Sequence, residues 1–549
     1  MKRLKIITNG SPAKYYRFEE TAVPAEILKK LSLEPKYPVY CARLNNRDIR
    51  LNDTVAEGGK LEFIDMTSAS GNMVYQVSLI FLYLKAVHDV LGKKTEVTIA
   101  NSLSKGLYTV IHTSGIDSRT VAAVEKRMRQ LQKADIPIIQ KDTARKEALL
   151  TAERDEAQLL KSAPDLERVN VCLLDDERSI FFQNLVPSTG YLEYFELRKY
   201  HNGVLLRYPY PSDPCTIIPF EPQELLYEAF SEEQKWEKLM GVSYAGDLNR
   251  KTEDGSYRDL IMLSEALHEK KTAEIAGMIK DSGKRIILIA GPSSSGKTTF
   301  ARRLCIQLRV AGLHPLYLGT DDYFINREDM IPDENGNLDF EGLSAVDIGL
   351  FTEQMNQLLA GKTVDIPRFD FITGKKVYGD RITSISSRQP IVIEGIHALN
   401  PLLTTGIEED QKFRIYISPL TQLNIDRHHR VPTTDARMLR RLVRDYRTRG
   451  KSAETTILSW PSVRAGEDVN IFPFNTEADV FFNSQCLYEL AVLKKYAEPL
   501  LKSIRPKSAA YPEAGRMLRF LEAFRVIEDD SCIVNNSILR EFIGGSIFD

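Results

Sequence analysis

The sequence has few cysteines and no arrangement of them that would suggest a stapled or metal-bound domain. Six cysteines are scattered over 549 residues, and no two of them form a C-x-x-C pair. This spacing argues against a zinc ribbon and against a disulfide framework, and it suits a reducing compartment. We therefore expect free thiols and a cytoplasmic protein.

The chain also lacks an excess of charge of either sign. Lysine and arginine total 73 and the acidic residues total 75, which gives a formal net charge of −2. A protein that attracts nucleic acid over its whole surface would be strongly basic. The charge balance therefore argues against that class and leaves open a local basic patch.

Long hydrophobic runs are missing too. The basic start Met1–Lys5 is followed by only a short apolar run before Asn9, so no signal-peptide core is predicted. The most apolar stretch, Val74–Val87, is interrupted by Gln76 and Lys85. Its length suggests that it is too short to span a bilayer, and we expect no membrane partner.

What the chain does contain is enough apolar sequence for several packed cores. It is 43% apolar and 27% charged, and its length predicts three or four domains. We predict a small mixed domain at 1–66, a mixed block at 67–225, a helical connector at 226–284, an α/β domain at 285–504 and a helical extension at 505–549.

The α/β domain is predicted from alternating short strands and helices. Such alternation is typical of a parallel sheet covered by helices on both faces. The apolar runs are Ile286–Ala290, Pro315–Gly319, Ile391–Glu394, Phe413–Ser418 and Val480–Asn483.

Outside this domain the local patterns are mainly helical. Apolar residues recur at helical spacing over Ser118–Gln132, and the very polar segment Lys141–Arg154 is predicted to continue as a surface helix. The extension from Arg505 to Asp549 is also predicted to be helical, and we assign it no chemistry.

The most informative segment is Gly291–Thr298, a complete G-x-x-x-x-G-K-[ST] match between an apolar strand and a helical pattern. Its glycines allow a tight turn in which backbone N–H groups converge on phosphate oxygens. Lys297 is predicted to bind the β- and γ-phosphates, and the Thr298 hydroxyl to ligate Mg²⁺. The other predicted nucleotide contacts are Gly291, Ser293, Ser294, Ser295, Gly296 and Thr299.

Acidic residues follow the second and third predicted strands of this domain. Asp321 and Asp322 end one strand and Glu394 ends the next. An open parallel sheet places its ligand crevice at these strand ends. Asp321 is the candidate base for a hydroxyl proton, with Asp322 as the second choice, and Asp321 and Glu394 join Thr298 as candidate Mg²⁺ ligands. Simple capping of a turn is the alternative for Asp321.

A basic helix is predicted near residues 427–451, where nine of 25 positions are Lys or Arg. Arg437, Arg441 and Arg444 recur at i, i+4 and i+7 away from an apolar stripe, which predicts guanidinium groups on one face. The planar charge of arginine suits phosphate. We predict Arg444 and Arg449 to neutralise the transferred charge, with a lid at Arg449. A solvated surface helix and a nucleic-acid patch stay open as alternatives.

Together these motifs resemble the uridine kinase/phosphoribulokinase family over about 285–504. The family's D-S-[FY]-[FY] segment is similar to Asp321–Phe324, its E-G to Glu394-Gly395, and its R-R-x-x-R-D-x-x-x-R-G-[RK] lid to Arg440–Lys451. The resemblance implies a P-loop fold, ATP and Mg²⁺, and phosphoryl transfer to the 5′-hydroxyl of a nucleoside. It also implies Asp321 as the catalytic aspartate and Asp339 as a sugar contact.

The sequence departs from the family where the base should be recognised. Phe369 stands in the tyrosine position of P-x-Y-D-F, and the base-contacting histidine of animal-type enzymes falls at about Gly374. Phe369 and Arg441 are the remaining predicted substrate contacts. Uridine or cytidine is the default acceptor, and another small alcohol or a phosphosugar is the alternative. The choice between ATP and GTP, and homo-oligomerisation, stay open.

The N-terminal half resembles a different system. Residues 1–66 resemble a TGS domain, a β-grasp module, and residues 67–225 resemble the second additional, editing-type domain of threonyl-tRNA synthetases through Ser104–Tyr108 and Val124–Met128. Editing enzymes carry an H-x-x-x-H pair. Here His88 is the only histidine between Gly71 and Asn101, which disfavours editing. We expect a binding module for tRNA or a nucleotide regulator. A non-catalytic, nucleotide-gated tRNA-binding protein is therefore the third functional alternative.

Overall fold

The computed structural model of the chain describes residues 2–9, 11–331, 342–421 and 423–548. Asp339, the predicted sugar contact, lies outside these residues. The six cysteines are free thiols, as the sequence predicts. The domain limits given above stay a prediction, and the elements are described below in chain order.

The first sheet is built from the N-terminal segment. It has five strands in the order β2-β1-β5-β3-β4, and β1 runs parallel to β5. Alternating residues Leu4 and Ile6 of β1 are buried against Ile27 of α1, which explains why this strand and this helix pack together. The elements are β1 Lys2–Thr8, β2 Ser11–Phe18, α1 Pro24–Lys30, β3 Val39–Leu44, β4 Arg47–Ile49 and β5 Gly59–Asp65.

The next region contains a four-stranded antiparallel sheet, β11-β12-β7-β6, and a three-stranded sheet, β10-β9-β8. The helices α2 and α3 share one apolar core with both sheets. The elements are α2 Ala69–Leu91, β6 Glu96–Leu103, β7 Gly106–His112, α3 Ser118–Lys133, β8 Ile138–Ala144, α4 Arg145–Ala148, α5 Arg154–Ser162, β9 Arg168–Leu174, β10 Glu177–Phe181, β11 Glu196–Tyr200 and β12 Gly203–Arg207.

The helix predicted over Lys141–Arg154 is wrong. Its first residues belong to β8, which pairs with β9 from Ile138↔Leu174 to Ala144↔Arg168, and only a short helix, α4, follows. Ile138 and Gln140 are buried, while Ile139 between them and Lys141 after them are exposed. Pairing with a distant strand therefore overrides the polar, helix-compatible composition of the segment.

The apolar stretch around Val74–Val87 is part of the 23-residue helix α2, which is longer than the sequence suggested. In the described part of the chain it is the one helix long and apolar enough, by length and composition, to cross a membrane. Its most apolar window is 72% buried inside the protein. The core helix of a globular domain has this property.

Three helices follow, α6 Glu224–Met240, α7 Ala245–Asp254 and α8 Tyr257–Ser282. Ile275 and Ile279 of α8 lie in the same core as Leu304 and Leu308 of α9, the helix after the phosphate loop. The segment predicted as a connector therefore packs directly on the α/β region.

The α/β region contains the predicted parallel sheet. Its order is β14-β19-β13-β20-β21, and all of its described pairings are parallel. Ile287 and Ile289 of β13 belong to one core, and Ile286 and Leu288 belong to another, so helices cover both faces. The elements are β13 Ile286–Ala290, α9 Lys297–Val310, β14 Leu316–Gly319, α10 Ile348–Leu359, β19 Ile391–Glu394, β20 Lys412–Ser418, α11 Thr433–Arg449, α12 Ala453–Asn470, β21 Val480–Asn483 and α13 Glu489–Lys502.

Four short strands and the C-terminal extension complete the fold. The strands form two hairpins, β15 Val364–Asp365 with β18 Ile382–Thr383, and β16 Arg368–Asp370 with β17 Lys375–Val377. The extension is only partly helical, with α14 Tyr511–Leu521 and α15 Arg540–Ile543. Met517, Ile538 and Phe542 of the extension are buried in the same core as α9.

Candidate active site

The phosphate loop connects β13 to α9 and is shaped by close backbone contacts. A Cβ on Gly291 would lie 2.0 Å from the Ile417 carbonyl oxygen, so only glycine fits there. Gly296 has a φ of +85° and Ser294 one of +61°, which turns the chain tightly before the helix begins. The Ser294 and Ser295 hydroxyls are buried and have no hydrogen-bond partner among the described residues. They are therefore available to a bound group.

Lys297 is held over this loop. Its Nζ donates to the carbonyl oxygens of Gly291, at 3.0 Å, and Pro292, at 3.3 Å. Burial lowers the pKa of Lys297, and the nearby Glu394 and Asp321 carboxylates oppose this shift. The ammonium group is thus desolvated and faces the two acids that the sequence predicted at the neighbouring strand ends.

Glu394 ends β19 beside the first residue of α9. The Thr298 hydroxyl donates to Glu394 Oε1 at 3.0 Å, and the Tyr317 hydroxyl donates to the same oxygen at 3.3 Å. Burial raises the pKa of Glu394 to about 7; Lys297 opposes this shift and Asp321 adds to it. A Cβ on Gly395 would lie 1.8 Å from Thr320 Oγ1, which explains the glycine after the acid.

Asp321 and Asp322 follow β14 and have different surroundings. Arg381 Nη1 donates to Asp322 Oδ2 at 2.6 Å, so Asp322 is already paired. Asp321 has no ion pair among the described residues and stays exposed at the mouth of the cleft. Crowding by protein raises the pKa of Asp321, and Lys297 and Arg449 oppose this shift. Asp321 is therefore the freer of the two acids.

The predicted magnesium ligands fit a cation that arrives with its nucleotide. In the described ranges, no group of three or more His, Cys, Asp or Glu side chains could hold a metal ion alone. Mg²⁺ is usually bound by one or two carboxylates, with water and substrate phosphates completing its shell. Two carboxyl groups with raised pKa, next to the Thr298 hydroxyl, are a donor set that a divalent cation would stabilise in ionised form.

The basic helix α11 packs underneath the phosphate loop. Arg437 Nε donates to the Ser293 carbonyl oxygen at 2.9 Å, and its guanidinium pairs with buried Glu467. Arg440 is fully buried and donates to Glu489 Oε2 at 2.5 Å. The prediction that Arg437 presents its guanidinium group on a phosphate-binding face is therefore wrong, because Arg437, like Arg440, supports the loop.

Three further arginines of α11 surround one carboxylate. Arg441, Arg444 and Arg449 lie 3.3, 2.9 and 3.5 Å from the buried carboxylate of Asp445. Arg441 Nη1 also donates to Ser293 Oγ at 2.8 Å. Exposure rises along the helix, from buried Arg441 to exposed Arg449. Its C-terminal turn, which ends at Arg449, is thus the part that faces open solvent.

The C-terminal extension contributes a site residue that the sequence analysis missed. Glu541 Oε2 accepts a hydrogen bond from Thr299 Oγ1 at 2.7 Å, and the Glu541 charge opposes the lowered pKa of Lys297. Ile538 lies against Gly296, 2.4 Å from where a Cβ would be. The Thr299 hydroxyl, predicted to contact nucleotide, is therefore occupied by Glu541. No local motif signals this contact.

An aromatic cluster lies next to Asp321, on the side predicted for the acceptor. Phe369 packs edge-on against Phe324 and Phe371, with ring centroids 5.6 and 5.2 Å away. Phe369 is buried, whereas Phe371 is 57% exposed. Phe371, which the sequence analysis did not single out, is thus the ring of the three with a free face.

Gly374 closes the neighbouring hairpin. Its φ is +71°, and a Cβ there would lie 2.8 Å from the Arg327 side chain. A histidine at this position would be strained and crowded. The departure from the family pattern at this position therefore has a backbone cause.

Comparison with known proteins finds two groups of relatives for this chain. Residues 286–490 match the Phosphoribulokinase / Uridine kinase family. A uridine kinase from Staphylococcus aureus (strain JH9) is 29% identical over 196 residues, 36% of this chain and 85% of that protein. A threonine–tRNA ligase from Syntrophotalea carbinolica is 30% identical over 188 residues, 33% of this chain but only 29% of the ligase. This chain therefore spans less than a third of the ligase.

A solved structure of a possible uridine kinase from Bacillus stearothermophilus is also similar. It is 20% identical, with a TM-score of 0.27, and the alignment covers 39% of this chain and 97% of that one.

The fold and the matched family define the class of the C-terminal half. It is a P-loop kinase fold, with a parallel sheet flanked by helices. More particularly, residues 286–490 match the phosphoribulokinase/uridine kinase family, and the N-terminal region is similar to threonine–tRNA ligase. The match to a kinase family supports a phosphotransferase.

Proposed function

We propose that the protein transfers the γ-phosphoryl group of ATP, with Mg²⁺, to the 5′-hydroxyl of a nucleoside, with uridine or cytidine as the default acceptor. The observation that carries the proposal is the meeting of Lys297, Glu394 and Asp321 at the carboxyl ends of three parallel strands. Burial is the main cause of the pKa shift of each of the three groups, and Lys297 and the two carboxyl groups oppose one another's shifts, as neighbouring opposite charges do. The similarity to uridine kinase supports the choice of acceptor.

Each residue has a defined task in this reaction. The loop N–H groups and Lys297 bind and orient the phosphates, and Thr298 and Glu394 hold Mg²⁺, which neutralises phosphate charge when bound. Asp321 accepts the proton of the attacking hydroxyl, and its raised pKa favours that proton transfer. Arg444 and Arg449 stabilise the charge that develops during transfer.

The acceptor side has fewer defined contacts. Phe371 offers an exposed ring face beside Asp321, on which a planar base can stack. Phe369 supports this ring from below, since it is buried against it. Asp339 remains the proposed sugar contact on the strength of the resemblance alone.

A second acceptor class is favoured by one observation. The backbone at Gly374 does not accommodate the base-contacting histidine of animal-type enzymes. Since base recognition at this position is missing, a sugar alcohol or a phosphosugar is the second candidate. A tRNA-binding module without kinase activity is the third, and it predicts no phosphorylation of any small alcohol.

An acceptor screen tests these candidates. The full chain is incubated with ATP, Mg²⁺ and single nucleosides, sugar alcohols or phosphosugars, and ADP release is measured. We expect the highest rate with uridine or cytidine, and a rate for Lys297→Ala that is lower by about 10²–10³-fold. Equal rates for the wild type and Lys297→Ala would contradict the proposed site. A preference for a sugar would select the second candidate.

A further inference from the structure

A cavity of about 470 Å³ lies away from the phosphate loop, where several distant parts of the chain meet. This volume is within the usual range for small-molecule sites, about 300–1,000 Å³. Its walls include residues of β4, of α2, of the segment 182–184 after β10, of 425–435 up to the first turn of α11, and of α14 in the C-terminal extension. The kinase region and the N-terminal half both contribute to it.

Three of the arginines that line the cavity have no protein partner. The side chains of Arg47, Arg430 and Arg519 make no hydrogen bond or ion pair with any residue that the structure describes; Arg47 is exposed, whereas Arg519 Nε is fully buried. Burial lowers the pKa of Arg430, and only the Tyr208 hydroxyl and Asp435 oppose this shift through their charges. A desolvated cation without a counterion costs folding free energy. Its presence is explained if a ligand supplies the anion.

Other lining groups also lack partners. Nε2 of His429 and Oε1 of Gln183 are buried without a hydrogen bond among the described residues. His429 itself is only 5% exposed, and its Nδ1 is bound to Asp426. Beside these polar atoms lie apolar side chains, including Met73 and Phe182. The cavity therefore combines cations, unsatisfied hydrogen-bonding groups and an apolar wall.

From this combination we propose that the cavity is a regulatory binding site for a nucleoside monophosphate. The unpaired arginines suit a phosphate, since guanidinium groups bind phosphate oxygens in pairs. The apolar wall suits a base, and the free amide and imidazole atoms suit its polar edge. No histidine of α2 lines the cavity, so the ligand contacts side chains different from those of an editing site.

The structure also shows how this site is connected to the phosphate loop. Asp435, in the first turn of α11, lines the cavity and accepts from Arg516 at 2.7 and 2.8 Å. Two residues later Arg437 donates to the Ser293 carbonyl oxygen. A ligand that binds to Arg516, or that changes the ion pair between Arg516 and Asp435, therefore acts on α11, the helix that supports the phosphate loop. By linkage, occupancy of either site changes the affinity of the other by the same factor.

Calorimetric titration of the full chain tests the binding site. The Lys297→Ala variant is titrated with UMP, AMP, inorganic phosphate and, separately, a short RNA hairpin ending in CCA. We expect saturable binding of a monophosphate, weakened at least tenfold when Arg430→Met is added. The matched control, Arg258→Gln, removes an arginine that pairs with Asp529 outside the cavity, and it should leave binding unchanged.

Several outcomes would overturn the proposal. The first is that no monophosphate binds to Lys297→Ala, and the second is that monophosphate binds equally well with and without Arg430. The third is that Arg430→Met weakens the binding of RNA but not of the monophosphate, which would make the cavity an RNA site. In the wild type, the monophosphate that binds should change the affinity for ATP, and Arg430→Met should abolish that change. An unchanged ATP affinity would refute the regulatory role. Since the titration uses the Lys297→Ala variant, failure of the proposed kinase activity would not affect it.

Discussion

The phosphate site and the cavity are both rich in arginine, but they use it in opposite ways. Five arginines of α11 near the phosphate loop, Arg437, Arg440, Arg441, Arg444 and Arg449, pair with a carboxylate. In the cavity, the side chains of Arg47, Arg430 and Arg519 pair with none in the described part of the chain. The buried ion pairs of Arg437 and Arg440 support the loop, whereas Arg430, which is desolvated and has no ion pair, indicates a missing anion. The comparison therefore separates arginines that support the structure from an arginine that is available to a ligand.

The largest expected effect lies in the phosphate site. Replacing Asp321 with Asn removes the proposed base, so kcat should fall by about 10²–10⁴-fold. Asp322→Asn is the matched control because Asp322 already pairs with Arg381. Steady-state kinetics of both variants measure the difference. A larger loss for Asp322→Asn would reverse the assignment of the two acids. Monophosphate binding in the cavity should be unaffected by either change.

Two substitutions test the contrast between the paired arginines of α11 and the unpaired arginines of the cavity. Arg437→Met removes a buried arginine from Glu467 and leaves it paired only with Arg464, so we expect a loss of about 1.5–3 kcal/mol in the free energy of unfolding. Arg430→Met removes a cation that has no partner, and the ligand-free variant should be at least as stable as the wild type. Chemical denaturation of both proteins measures this. Similar destabilisation by the two substitutions would remove the distinction between them.

A third prediction uses pH, because the phosphate site contains a carboxyl group with a strongly raised pKa. Glu394 has a pKa of about 7 in the folded state, so folding becomes less favourable as the pH rises from about 4.5 to 7. At about 1.4 kcal/mol per pKa unit the cost approaches 3 kcal/mol. Without nucleotide, Glu394→Gln should therefore gain stability relative to the wild type over this range.

The control for this prediction is Arg430→Met, since arginine does not titrate in this range. Its stability relative to the wild type should stay constant between pH 4.5 and 8. Chemical denaturation curves at pH 4.5 and at pH 8 measure these stabilities. If the difference in stability between Glu394→Gln and the wild type also stayed constant over this pH range, the raised pKa of Glu394 would be contradicted.

The smallest expected effect concerns the C-terminal extension. Glu541→Gln weakens the hydrogen bond to Thr299 and removes a charge near Lys297. A hydrogen bond to a charged group contributes about 1.5–3 kcal/mol, part of which the amide retains. We expect a severalfold increase in KM for ATP with little change in kcat, and unchanged monophosphate binding. An unchanged KM would show that Glu541 only anchors the extension.

Much of the fold and of the phosphate loop could be predicted from the sequence because local patterns carry them. The five strands of the parallel sheet are short apolar runs, and Gly291–Thr298 is a continuous motif. The helix predicted over Lys141–Arg154 was wrong because β8 is stabilised by pairing with β9, not by its own composition. Strand pairing of this kind is invisible to a local pattern.

The rest of the site could not be predicted because distant residues form it. Glu541 is 242 positions from Thr299 in the sequence. No pattern in the extension predicts that this carboxylate accepts a hydrogen bond from the residue after the phosphate-loop motif. The interpretation of α11 as a basic face for phosphate was wrong for Arg437, because helical spacing shows which residues share a face, but not what covers that face. The cavity has no motif at all, since its arginines come from separate elements.

The most direct test of the proposed activity is the transfer of labelled γ-phosphate from ATP to uridine, measured beside 5′-deoxyuridine. The two compounds differ only at the hydroxyl that Asp321 is proposed to deprotonate. We predict labelled uridine 5′-phosphate with the wild type, no labelled product from 5′-deoxyuridine, and almost none from uridine with Asp321→Asn. Labelling of 5′-deoxyuridine, or equal labelling of uridine by the wild type and Asp321→Asn, would contradict the account.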